Sequence, residues 1–237
     1  MSNKKNIVII TGANKGLGQS FFNKFMKLDE YDLIVSISRN TSLVQRKLIA
    51  VNNDRFLFIP VDLSKLTSTK PLEVLENFCQ TANKVTFISN AGVILPIESV
   101  GNLKYQSIFD AIQVNVTSPT IIINYIMDIF QGKSLTILNI SSGAANYPID
   151  GLSLYCCAKS FISMFVRSID QQETDNPLIR ALSVDPGLID SDMQRNIRNS
   201  DIPGFTDHSD FVTLKNQGAL QEADDVVDKI LAEINII

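Results

Sequence analysis

Ile7-Val8-Ile9-Ile10-Thr11-Gly12-Ala13-Asn14-Lys15-Gly16-Leu17-Gly18 is the stretch that decides the fold. Residues 7–10 form an unbroken β-branched run, the pattern of a strand buried on both faces. Behind the glycines, Leu17, Phe21, Phe22, Phe25 and Met26 recur at the spacing of one helix face. The phenylalanines at 21, 22 and 25 are expected in the core. A buried strand, a glycine-rich turn and an amphipathic helix, in that order, open a parallel α/β sheet.

The same alternation continues along the chain. Residues 33–37 and 56–61 read as the second and third strands, and Leu72, Leu75, Phe78 and Cys79 mark a helix. Residues 85–89 read as the fourth strand. A long helix is expected over 107–130, with Pro119 bending it or delaying its start. Residues 135–140 form the fifth strand, 153–169 a helix, and 181–184 a sixth strand that ends at Pro186-Gly187. Val226, Val227, Ile230, Leu231 and Ile234 form a last helical face. The expectation is one domain over residues 1–237, an α/β fold of three layers whose doubly wound parallel sheet is covered on both sides. Residues 190–217 are polar and aperiodic, so a mobile loop or lid is expected there.

Composition narrows the function. The 237 residues are 45% hydrophobic, enough for one core. No apolar run approaches the roughly 18 residues that span a membrane. The short run after the polar start is not a secretory signal, so a cytoplasmic protein is expected. A net charge of −4 argues against nucleic-acid binding. Three cysteines without metal spacing read as free thiols. His208 is the only histidine, which leaves little for a Ser-His-Asp triad or a histidine metal site, and no metal is expected.

The glycine turn, with Asn14, Lys15 and Leu17 between Gly12, Gly16 and Gly18, suits a dinucleotide pyrophosphate. Glycines let the backbone approach the phosphates, and the helix start supplies N–H groups and positive partial charge. An ordinary strand–helix turn is the bland alternative. The second strand ends Ser36-Ile37-Ser38-Arg39-Asn40, without the carboxylate that holds an NAD ribose. Arg39 and Lys15 suit a 2′-phosphate, which favours NADP(H) over NAD.

Tyr155 and Lys159 are four apart on a helix and share a face. Ser141 and Ser142 close the fifth strand. A lysine ammonium beside the phenol is expected to lower its pKa, so that Tyr155 can protonate a carbonyl oxygen as hydride arrives. Ser142 can hydrogen-bond the same oxygen.

These motifs, in order and in register, resemble the short-chain dehydrogenase/reductase family, with its Rossmann-type fold, over nearly the whole chain. The resemblance rests on Gly12, Gly16 and Gly18, on Asn90-Ala91-Gly92, on Asn115, on Ser142 thirteen residues before Tyr155, and on Pro186-Gly187. It implies reduction of a small carbonyl substrate, a ketone or vicinal diketone, with NADP(H). Tyr155 would be the proton donor, Ser142 would orient the oxygen, Lys159 would tune Tyr155 and hold the nicotinamide ribose, and Asn115 would hold a relay water. Asp62, with Leu63, would meet the adenine, and Ile189 and Ser191 the nicotinamide carboxamide. Residues 155–159, 185–194 and 214–218 further resemble the sepiapterin reductase and benzil reductase subgroup. The family's usual last strand is not expected, because the chain ends at Ile237, and pterin recognition is therefore not carried over. Helix faces around Asn115 and Tyr155 imply a homodimer. Two rival readings are an NAD-dependent alcohol dehydrogenase working oxidatively and a non-catalytic NADP-binding sensor or scaffold. Cys156 and Cys157 are expected to pack in the helix, His208 to lie on the surface, and Asp190 and Asp192 to cap a loop.

Overall fold

The computed structural model describes residues 4–199 and 208–236. Six strands, β1 (Lys5–Thr11), β2 (Leu33–Ser38), β3 (Phe56–Pro60), β4 (Ala82–Ser89), β5 (Ser134–Ile140) and β6 (Ile179–Val184), form one sheet in the order β3-β2-β1-β4-β5-β6. Every neighbouring pair is parallel. The order reverses between β1 and β4, so a crevice opens at the carboxyl ends of those strands.

Strand alternation sorts the core. Ile7, Ile9, Val35, Phe87 and Ile137 point to one face, under Ile122 and Ile126 of α4 (Ser118–Ile129) and Ile162 and Val166 of α5 (Ser153–Gln172). Val8, Ile10, Ile34, Ile88 and Leu138 point to the other. There they meet Phe21, Phe22 and Phe25 of α1 (Gly16–Met26) and Val226, Val227, Ile230 and Leu231 of α8 (Ala223–Glu233). This is the expected three-layer arrangement, with those phenylalanines fully buried.

The structure refines several local expectations. The helix expected at Leu72, Leu75 and Phe78 is present over Lys70–Phe78 and is of the 3-10 kind. Leu72, Leu75 and Phe78 are spaced by three, which places them in line on a helix of three residues per turn. The long helix begins at α3 (Tyr105–Ile112), runs through a π turn over Gln113–Thr117, and continues as α4. Pro119 has no N–H for the carbonyl of Asn115 four residues back, so the regular α ladder cannot pass this point. The polar stretch 190–217 contains two helices, α6 (Asp192–Arg198) and α7 (His208–Asn216); residues 200–207 lie outside those described. Ser191 caps α6 by accepting the N–H of Gln194 at 3.3 Å. Finally, α2 (Leu43–Ala50) was unforeseen, although Ser42 and Gln45 form a capping box at its start.

The first turn is held by close packing. Gly12 adopts φ +69°, which glycine alone takes without strain, and its N–H donates to Ile37. The Thr11 hydroxyl accepts the N–H groups of Asn90 at 3.0 Å and Ala91 at 3.1 Å. The Asn90 amide donates to the Thr11 carbonyl at 3.0 Å. A Cβ on Gly18 would overlap the Gly12 carbonyl and the Asn90 amide. Gly18→Ala should therefore destabilise the protein by about 1–3 kcal/mol in urea unfolding, because a tight backbone contact must open. An unchanged midpoint would show that the turn relaxes freely.

Candidate active site

A cleft of about 1010 Å3 lies along the carboxyl edge of the sheet. Its near wall is the β1–α1 turn, from Gly12 through Asn14, Lys15, Gly16 and Leu17 to Gly18. Arg39, Asp62 and Leu63 close one end, beyond β2 and β3. Asn90, Ala91 and Gly92 follow β4 along the floor. Ser142, Tyr155 and Lys159 stand at the other end, facing Pro186, Gly187, Ile189 and Ser191 after β6. Asn115 is not in the wall; it is buried behind it.

The turn end is built to receive an anion. Lys15 at the N-cap of α1 makes no side-chain cap, so the first N–H groups of the helix have no such partner. Nothing approaches within 4 Å of a Cβ built on Gly16, so the backbone there is open. Lys15 does meet a carboxylate, Asp192 of α6, at 3.5 Å, with both side chains exposed. Asp62 accepts the backbone N–H of Ser64 at 3.1 Å and its hydroxyl at 2.8 Å. Partial burial raises the Asp62 pKa, but these hydrogen bonds, with Arg39 and Lys65 nearby, bring it below the ordinary value.

At the other end, α5 carries the tyrosine and the lysine. Its seat is a buried polar ladder. The Asn139 amide donates to the Ser183 hydroxyl at 2.9 Å, Ser183 donates to Ser163 at 3.1 Å, and Ser163 lies 2.6 Å from Ser141. Ser141 thus ties α5 to β5 and β6. Ser142 instead starts the short turn Gly143–Ala145, accepting the Ala144 N–H at 3.2 Å.

Lys159 is buried and donates to the Ile140 carbonyl at 2.7 Å. Burial pulls its pKa down to about 8, against the pull of Asp185. Its ammonium lies 5.8 Å from the centre of the Tyr155 ring. Tyr155 is buried as well, and burial raises its pKa to about 12. A hydrogen bond with Ser142 acts in the lowering direction, and Asp185 raises it further. The expected lowering of the Tyr155 pKa by Lys159 is therefore not found. The ammonium faces the ring and the Ile140 carbonyl, and desolvation of the phenolate dominates.

Asn115 uses its whole side-chain amide on Val93, accepting its N–H and donating to its carbonyl, both at 2.8 Å. A Cβ on Gly92 would sit 3.2 Å from that amide and 3.8 Å from the Lys159 ammonium.

After β6, Asp190 pairs with Lys215 of α7 and lies 3.8 Å from Arg198 of α6. Asp192 pairs with Arg195 at 2.7 Å within α6. Asp190 thus links α6 and α7, and Asp192 pairs within α6 and with Lys15, rather than capping a loop. The His208 ring meets the Arg198 carbonyl at 2.8 Å. Cys156 is buried as expected, but Cys157 is exposed. Sequence reading missed Asp185 and Tyr147, which also line the cleft. It also missed the apolar cluster of Ile94, Leu152 and Ile197 around Tyr155, which Met193 and Phe211 join. Asp185 was visible as a carboxylate at the carboxyl end of β6, where sheet ligands bind.

The depressed lysine makes a stability prediction. Between pH 8 and the ordinary lysine value near 10.4, the unfolded chain binds the Lys159 proton and the folded chain does not. This group's contribution therefore rises with pH across that window. The stability of the protein relative to Lys159→Met should climb from pH 8 to pH 10 by on the order of 2–3 kcal/mol in urea unfolding. A pH-independent difference would show that Lys159 keeps an ordinary pKa.

Residues 6–202 match the short chain dehydrogenase family. The chain is 29% identical to a benzil reductase ((S)-benzoin forming) of Bacillus subtilis, over 95% of this chain and 92% of that protein. It is 25% identical to bovine sepiapterin reductase, over 96% of this chain and 89% of that one. A crystal structure of a short chain dehydrogenase/reductase from Saccharomyces cerevisiae has the same fold, with a TM-score of 0.77 and 20% identity, covering 92% of this chain and 86% of that one. The sheet order is that of the same fold, and the chain belongs to the short-chain dehydrogenase/reductase family of oxidoreductases, whose members use a nicotinamide cofactor.

Proposed function

We propose that this protein is an NADPH-dependent carbonyl reductase acting on a small ketone or vicinal diketone, with Tyr155 as general acid. The observation that carries the reading is a buried phenol, pKa about 12, beside Ser142 at the end of a dinucleotide-shaped cleft. Such a phenol keeps its proton throughout the neutral range. An alkoxide is a stronger base than a phenolate, so a proton can pass from Tyr155 to a carbonyl oxygen that is becoming an alkoxide. The same protonation disfavours the oxidative alternative, which needs Tyr155 as a base.

When bound, NADPH supplies the hydride. The open turn at Gly16, the free start of α1 and the cations Lys15 and Arg39 would hold its phosphates, with Arg39 at the 2′-phosphate. Asp62 and Leu63 would meet the adenine, Asn90, Ala91 and Gly92 would line its path, and Pro186, Gly187, Ile189 and Ser191 would flank the nicotinamide. Ser142 donates a hydrogen bond to the substrate oxygen. Lys159 would hold the nicotinamide ribose, and its ammonium would pass a proton to the phenolate that Tyr155 becomes on donating. The side chain of Asn115 is committed to Val93, so its part in that relay falls to the backbone of the π turn. Benzil reductase is the relative whose name indicates a vicinal dicarbonyl. The sensor reading would need none of these groups together.

The reading includes a cytoplasmic homodimer. The cysteines are free, and no helix among the described residues is long and apolar enough to cross a membrane. α3 and α5 pack together and leave Tyr105, Phe109, Phe161 and Met164 exposed, an apolar surface suited to a partner. Light scattering should give twice the chain mass, and a monomer mass would contradict the dimer.

The direct assay follows NADPH oxidation with a vicinal diketone such as benzil. Turnover should be faster with NADPH than with NADH. Tyr155→Phe should lower kcat by at least about 100-fold while retaining cofactor affinity. Full activity in that variant would remove Tyr155 from the mechanism.

A further inference from the structure

The substrate end of the cleft holds a second polar pair, outside the reacting group. Gly143 directly follows Ser142 in the chain. A Cβ built on Gly143 would lie 3.1 Å from the Tyr147 hydroxyl and 3.3 Å from Oδ2 of Asp185. The two side chains come from different elements, the turn after β5 and the end of β6, yet reach the same notch. The other carboxylate oxygen of Asp185 accepts the Gly187 N–H at 2.9 Å, which fixes the group in place. No ion pair forms at Asp185 among the described residues. Asp185 acts electrostatically on both Tyr155 and Lys159, so the notch is close to the reacting group. Ile149, Leu152 and Met193 line the same cleft.

We infer that Asp185 and Tyr147 form a subsite for a hydroxyl group of the substrate, so that the favoured ketone carries a hydroxyl close to its carbonyl. The inference rests on the carbonyl-reductase reading and names the substrate class of that site. A hydroxyl has one donor and two acceptor positions. It can donate to the Asp185 carboxylate and accept from the Tyr147 phenol at once. Hydrogen bonds to a carboxylate are the stronger kind. The second carbonyl of a vicinal diketone can still accept from Tyr147, so a diketone remains a substrate but leaves the Asp185 carboxylate unused. An anionic substituent would be repelled.

The test compares 2-hydroxyacetophenone with acetophenone, which differ by that hydroxyl alone, using the full chain and NADPH. The quantity read is the ratio of their kcat/KM values in the unaltered protein and in three variants. Asp185→Asn keeps an acceptor for the Gly187 N–H but loses the charge. Tyr147→Phe removes a hydroxyl from an exposed ring. Gly143→Ala presses a methyl group against the Tyr147 hydroxyl and the Asp185 carboxylate and displaces them, at a backbone conformation that alanine tolerates. The hydroxyl also activates its carbonyl intrinsically, and changes in Tyr155 acidity affect both ketones, so the shift in the ratio between proteins isolates the subsite. The ratio should fall about tenfold or more in Asp185→Asn and Gly143→Ala, and by at least about threefold in Tyr147→Phe. A ratio within about twofold of the original in all three variants, with turnover continuing, would overturn the subsite. No turnover of either ketone or of benzil by the unaltered protein would instead overturn the reductase reading on which it rests.

Discussion

The contact between the β1–α1 turn and the end of β4 is the constraint on which the rest of the structure depends. Gly12, Gly18 and Asn90 meet so closely that no side chain fits between them. That contact sets the start of α1 against the sheet at the point where strand order reverses. It therefore sets the start of α1, which has no side-chain cap, in the wall of the cleft. The two apolar layers then hold the sheet rigid beneath. Thr11 links the same turn to Asn90 and Ala91, so the floor and near wall of the cleft are one hydrogen-bonded unit.

Burial governs the chemistry at the far end. Desolvation pushes Tyr155 up and Lys159 down, so both move toward their neutral forms. Asp185 acts on the two alike, favouring protonation of each. A phenol that holds its proton suits donation to an alkoxide, and a lysine with pKa about 8 can give and regain a proton near neutrality. The serine ladder of Ser141, Ser163 and Ser183 fixes α5 against β5 and β6, and with it the separation of Tyr155 from Ser142.

Much of this was legible in the sequence because it rests on periodicity and on glycine. Strands with continuous β-branched runs, such as residues 7–10, were readable, as was the face of α1. The π turn was visible only as the awkwardness of Pro119. The helices of the lid were hidden because α6 is seven residues long and α7 is largely polar. Asp185 and Tyr147 went unremarked because their meeting point over Gly143 joins two distant parts of the chain. The direction of the Tyr155 shift was misread for a similar reason. Helical spacing placed Lys159 on the same face as Tyr155, but it could not show that the ammonium turns to the ring and to the Ile140 carbonyl.

The measurement that tests the central claim most directly is isotope transfer. Benzil would be reduced in ordinary water by the purified protein with NADPH dideuterated at C4 of the nicotinamide, and the product examined by mass spectrometry and NMR. The account predicts one deuterium on the carbinol carbon, since the hydride comes from C4 of the cofactor, while the hydroxyl hydrogen exchanges with water and carries no label. Product without deuterium on that carbon, or no product while NADPH binds tightly, would contradict it.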